Sequence, residues 1–126
     1  MRKIECIVER TNTGFSAYAA KYPVYTVGGN LEEIKVNLLE ALNLYFSDKG
    51  RQVEEKDIKI NLDMPQFFEF YKEINVSAFS KRAGINQSLL SQYIKGIKKP
   101  SSDQAQRILK EVNKLGRELQ EVGFLV

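Results

Sequence analysis

Between residues 75 and 101 the chain reads Asn75-Val-Ser-Ala-Phe-Ser-Lys-Arg-Ala-Gly84-Ile-Asn86-Gln-Ser-Leu-Leu-Ser-Gln-Tyr-Ile-Lys-Gly96-Ile-Lys-Lys-Pro100-Ser101, and few folds accommodate that order. Asn75 is an N-cap, and Ile74 before it can staple onto Phe79. Gly84 suits the left-handed position that stops a helix. Asn86 caps again two residues later, with Ile85 stapled onto Leu90. Gly96 ends that second helix, and Ser101 with Gln104 forms a capping box for a third. Two short capped helices about a tight turn, followed at once by another helix, have the spacing of a helix-turn-helix. Leu90, Tyr93 and Ile94 are predicted to face inward, which leaves Gln87, Ser88, Ser91, Gln92 and Lys95 on the outside.

Charge supports a functional reading of that face. The net charge of +3 is unevenly spread. Residues 1–63 hold 9 Lys and Arg against 10 Asp and Glu, whereas residues 64–126 hold 10 against 6. No carboxylate lies between Glu73 and Asp103, while Lys81, Arg82, Lys95, Lys98 and Lys99 fall inside that window. A polyanionic partner accounts for this, and so does a merely solvated basic face. In a major groove, Gln87 and Gln92 could each read adenine through the side-chain amide, and Ser88 could serve a base or a phosphate. Lys95, two turns along, could reach either. Lys98, Lys99 and the N-terminal end of the last helix suit phosphates. The competing reading is a helical hairpin packed against a protein.

The first half is patterned differently. Lys3 to Glu9 alternates, with Ile4, Cys6 and Val8 on one face and Glu5, Ile7 and Glu9 on the other. The turn formers Arg10 to Gly14 precede a second alternating run, Phe15 to Ala20, so the two strands should pair antiparallel. Pro23 bends the chain before a short strand, Val24 to Val27. Asn30 then caps a helix that should bury Ile34, Leu38, Leu42 and Tyr45, with Leu31, Leu39 and Phe46 beside them and Glu32, Lys35, Glu40 and Asn43 wet. Ile58 to Leu62 makes a fourth strand. The expectation is an α+β protein: a small antiparallel sheet with one covering helix over 1–63, then an all-α helix-turn-helix domain over 64–126. Pro65 opens a short apolar helix with Asp63 as its candidate cap, and its aromatics read as core rather than a base-stacking platform. The last helix carries a stripe of Ala105, Ile108, Leu109, Val112, Leu115, Leu119 and Val122. Its distal part, with Phe124-Leu-Val126, is a candidate dimer contact or else packs on the first half.

Several chemistries are disfavoured. There is no histidine and a single cysteine, Cys6, so the commonest general base is missing and a zinc site would need carboxylates alone. No disulfide can form within the chain, which fits a reducing compartment. No apolar run is long enough to span a bilayer, and Met1-Arg-Lys leads into a strand pattern rather than a signal peptide. Metal-dependent hydrolysis needs converging carboxylates. Glu5 and Glu9 share a strand face but lie roughly 13 Å apart. No catalytic residue, metal or cofactor is expected, and the location expected is cytoplasmic.

Two resemblances sharpen the expectation. Phe79-Ser-Lys-Arg-Ala-Gly84-Ile-Asn-Gln-Ser-Leu-Leu90, with Gly96 and Pro100-Ser101, resembles the phage-repressor, Cro-like (XRE) class of helix-turn-helix, over about residues 66–122. In that class a Gln-Ser pair opens the recognition helix and contacts bases, and Gln87 and Ser88 match it. Val76 stands where the class often has a phosphate-touching Gln. Thr13-Gly14-Phe-Ser-Ala-Tyr-Ala-Ala20, Tyr22-Pro23, Gly29-Asn30-Leu-Glu-Glu33 and Asn37-Leu-Leu-Glu-Ala41 are similar to the HicB antitoxin domain, a partial RNase H-like fold. Of that family's segment before the third strand, only Pro23 is kept here. The order of a HicB domain then a Cro-like helix-turn-helix occurs in that family. The resemblance implies an antitoxin of a type II toxin-antitoxin pair, which blocks a HicA-like mRNA-cleaving toxin and represses its own operon. The implied partners are double-stranded operator DNA, the HicA-like toxin, and further copies of the chain in a homodimer or higher homo-oligomer. The alternative is a stand-alone transcriptional repressor whose first domain only oligomerises, and a remoter one is a degenerate nuclease.

Overall fold

The computed structural model describes residues 3–126; Met1 and Arg2, read above as leading into the first strand, lie outside the described residues. The order is β1 (Ile4–Thr11), β2 (Gly14–Ala19), β3 (Tyr25–Gly28), α1 (Leu31–Phe46), a single 3-10 turn (Glu55–Asp57), β4 (Ile58–Leu62), α2 (Met64–Phe70), α3 (Val76–Ala83), α4 (Gln87–Ile94) and α5 (Ser102–Val122), closed by another 3-10 turn (Gly123–Leu125). The described residues form a mixed α+β structure, with one four-stranded sheet and five α-helices among them. Among the described residues no helix is long and apolar enough to cross a membrane.

The chain divides into two compact units, one ending at Phe70 and the other covering Tyr71–Val126. Sequence reasoning put the division at 63/64, and the structure moves it past α2. The reason is a contact distant in sequence. Gln66 on α2 accepts from the Arg10 backbone N–H at 2.9 Å and donates to the Arg10 carbonyl at 2.6 Å, as a neighbouring strand would. Asp63 caps α2 by accepting from the Gln66 N–H at 3.1 Å. The Arg10 guanidinium lies over the rings of Phe15 and Phe70, at 4.7 and 5.9 Å.

The sheet of the first unit runs β3-β2-β1-β4. The two hairpin pairs are antiparallel, but β4 pairs with β1 in parallel, Ile4 beside Ile58 through Val8 beside Leu62. The expected antiparallel sheet is therefore a mixed one. A strand reached through a covering helix returns in the original direction, which makes the parallel pairing available. Ile4, Cys6, Val8, Ala17 and Ala19 on the sheet meet Ile34, Leu38, Leu42 and Phe46 on α1 in one apolar core. Phe46 rather than Tyr45 takes the last buried position of that helix, and Leu31 is half exposed. Tyr22, Tyr45 and Phe46 form a cluster with centroids 4.9–5.7 Å apart. Asn43, expected on the wet side, instead donates to the Val53 carbonyl at 3.0 Å and accepts from the Val53 N–H at 2.7 Å. Those two bonds seat the connection to β4. Gly14 is required by close approach, since a Cβ there would collide with the Gly28 carbonyl. Burial pushes the Cys6 thiol up to about 11, helped by the charge of Glu5, so the lone cysteine is a neutral core group.

The face of the sheet opposite α1 holds a carboxyl pair. The Asp63 N–H donates to the Val8 carbonyl at 3.0 Å, which brings Asp63 beside Glu9. Burial, the charge of Asp63 and a hydrogen bond shared with it all raise the Glu9 pKa. A group that binds its proton more tightly folded than unfolded contributes stability that is complete below its unfolded pKa. That stability is lost as pH rises through the folded value. Glu9→Gln keeps a donor for Asp63 and removes the charge. Its thermal midpoint should exceed that of the parent at neutral pH, and the gain should vanish below the ordinary carboxylate range. Equal midpoints at neutral pH would contradict the pairing.

Candidate nucleic-acid interface

The second unit is built from three helices whose starts are all fixed by side chains. Asn75 Oδ1 accepts from the Ala78 N–H at 2.9 Å. Asn86 Oδ1 accepts from the N–H groups of Ser88 and Leu89, at 2.8 and 3.3 Å. Ser101 Oγ accepts from the Gln104 N–H at 3.2 Å. Between α3 and α4, Gly84 has φ +68°, and a Cβ there would meet nothing within 4 Å. Backbone conformation rather than space selects glycine at that turn. Phe79, Ile85, Leu90, Tyr93 and Ile108 are buried. Ile94 is only half-buried.

These constraints present one face of α4. Gln87, Ser88, Gln92 and Lys95 are exposed and Ser91 is half-buried. The spacing of four between Gln87, Ser91 and Lys95, and between Ser88 and Gln92, stacks them on adjacent rows of the helix. All five line a single shallow depression, which Ile97 completes. Ile97, 73% exposed, was not singled out from the sequence. Its position depends on the left-handed turn at Gly96, φ +74°, and on the N–H groups of Ile97 and Lys98 both donating to the Gln92 carbonyl. An exposed apolar side chain beside amides is a signal that could have marked it. Lys98 and Lys99 are exposed in the same loop but do not line the depression.

The carboxylate-free window of the sequence does not survive in space. Arg82, at the end of α3, donates through Nε to Glu111 at 3.2 Å and through both terminal nitrogens to Glu118, at 3.2 and 2.6 Å. The hydrogen bonds from Arg82 hold the Glu118 carboxyl below its usual range. One of the five cations in the window is thus committed to holding α5 against α3. Arg107 Nη1 donates to the Gly84 carbonyl at 3.3 Å, satisfying an acceptor at the helix end. The start of α5, expected to suit a phosphate, carries exposed Asp103 in its first turn.

Chemically, α4 offers a helix face rich in amide and hydroxyl groups, flanked by ammonium groups and one apolar side chain. Such a set can donate to, accept from and pack against base edges. Among the described residues no group of three or more His, Cys, Asp or Glu could hold a metal ion. Asn86→Ala should cost about 1 kcal/mol, read as a lower urea midpoint for loss of helical circular dichroism. An unchanged midpoint would mean that the Ser88 and Leu89 N–H groups do not depend on that cap.

No protein-family model matches the chain, and neither does any curated protein or solved structure.

Proposed function

We propose that the second unit binds double-stranded DNA sequence-specifically, with α4 as the recognition helix. The observation that carries this reading is the gathering of Gln87, Ser88, Ser91, Gln92 and Lys95 on one accessible face of a capped eight-residue helix. Gln87 and Ser88, in the first turn, are the base readers, joined by Gln92. Lys95 reaches a base or a phosphate, and Ile97 suits the methyl group of thymine. Lys98 and Lys99 neutralise phosphates and set register rather than sequence. Arg82 has a structural task, so it is left out of the DNA-contacting set.

We further propose that the chain as a whole is a HicB-like antitoxin. It would neutralise a HicA-like mRNA-cleaving toxin and repress its own operon. This rests on the resemblance of the first half to the HicB domain and on the order of elements, β-β-β-α-β followed by a helix-turn-helix. The first unit is the proposed toxin-binding part, and the protein itself is proposed to catalyse nothing.

The two kinds of DNA contact differ in an electrophoretic mobility assay run across salt concentrations. Gln87→Ala with Ser88→Ala should reduce the preference for operator over random duplex by about 1–3 kcal/mol per lost contact, with the salt slope unchanged. Lys98→Ala with Lys99→Ala should weaken binding to every sequence and lower the slope by about 2. Unaltered sequence preference in the first variant would remove α4 as reader. The toxin is tested by purifying the tagged chain from its native operon. A small basic ribonuclease should accompany it in stoichiometric amount. Recovery of the chain with DNA and no such protein would leave a stand-alone repressor.

A further inference from the structure

Alternation along the strands sorts the sheet of the first unit into two faces. One face meets α1 in the apolar core. The other carries two cross-strand rows, Ile7 with Tyr18 and Tyr25, and beside them Glu9 with Ser16 and Val27. Asp63, just past the end of β4, stands next to Glu9. At the other end of this face Glu5 and Lys59 lie side by side. Tyr18, Tyr25 and Val27 are 36%, 66% and 56% exposed. Two tyrosines paired across adjacent strands therefore border a carboxyl pair in the open.

The chemistry of this face selects its occupant. Burial and Asp63 raise the Glu9 carboxyl, and burial, Glu9 and Asp63 raise the Tyr18 hydroxyl. The corner thus opposes further negative charge, and a cation would relieve it. Paired rings on a sheet can stack bases, but the phosphates between those bases would meet Glu9 and Asp63. A second copy would bring the same carboxyls to the same place. Addition of a strand along β3, the sheet edge on this side, is hindered as well. Asn37 Nδ2 donates to the Val27 carbonyl at 2.7 Å and so occupies an edge acceptor.

We propose that this sheet face docks an arginine-bearing segment of a partner protein, with a guanidinium between Glu9 and Asp63 and the flanking side chains of the segment on Tyr18, Tyr25 and Val27. A planar guanidinium can donate to both carboxylates at once, which a lysine ammonium does less well. Tyr18, within electrostatic reach of both carboxyls, offers a ring to the same cation. Tyr25 and Val27 add the apolar area that a charge pair alone does not supply. That the partner is the toxin rests on the antitoxin reading. That whatever docks here is cationic follows from the face itself.

Nuclear magnetic resonance of the isotope-labelled full chain tests the docking face, with a short peptide of alternating arginine and leucine as the probe. The amides of Ile7, Tyr18, Tyr25 and Val27 should shift together and saturate. Glu9→Gln with Asp63→Asn removes both charges and keeps an acceptor for the Gln66 N–H, so the fold should persist. This double variant should bind the peptide about tenfold or more weakly. Shifts scattered over the chain, no saturable shift at these residues, or equal affinity in the double variant would overturn the proposal. So would a thymidine oligonucleotide that moves Tyr18 and Tyr25 where the peptide does not. Purification of parent and double variant from the native operon separates this proposal from the antitoxin reading. A ribonuclease retained equally by both would overturn the face and leave the reading standing. Peptide binding at this face with no ribonuclease recovered would uphold the face and remove the reading.

Discussion

Helices of eight residues do not persist alone in water, because nucleation is costly and too few bonds follow it. Both α3 and α4 have that length, so the candidate interface exists only through what holds their ends and inner faces. Three devices do so: the caps at Asn75 and Asn86, the left-handed turn at Gly84, and the burial of Phe79, Leu90, Tyr93 and Ile108. With the inner face committed to burial and the first turn committed to Asn86, only one orientation of α4 remains. The polar face is outward because the apolar face has nowhere else to go.

The same economy shapes the charges. A basic run in sequence became a smaller cationic set in space once Glu111 and Glu118 reached Arg82 across α3 and α5. An exposed ion pair contributes little to stability by itself. Its value here is directional: a planar guanidinium held by two carboxylates about two helical turns apart, Glu111 and Glu118, fixes the path of α5. Of the four lysines in that stretch, Lys81 lies on α3, and Lys95, Lys98 and Lys99 lie at or beyond the end of α4.

Local chemistry was legible. The caps at Asn30, Asn75, Asn86 and Ser101 and the left-handed Gly84 depend on neighbours within four residues, and each occurs as its spacing predicts. The polar face of α4 follows from a period of 3.6 and needed no more. Long-range pairings were not legible. The parallel docking of β4 on β1, the Gln66 bonds to the Arg10 backbone, the Glu9–Asp63 pair and the Arg82 clamp join residues 29 to 56 positions apart. Nothing in a single sequence selects such partners over others of the same chemistry. Ile97 belongs with these, since its place depends on how the chain turns after Gly96.

The two units divide the proposed work, a sheet with a carboxyl-bearing face for protein recognition and a helix face for duplex DNA. The central proposal is that α4 reads sequence. Selection of duplexes from a random pool by the full-length chain tests this most directly. The proposal predicts enrichment of one short base sequence, and loss of that enrichment in the Gln87→Ala, Ser88→Ala variant. A pool in which no sequence rises above its starting frequency would contradict it.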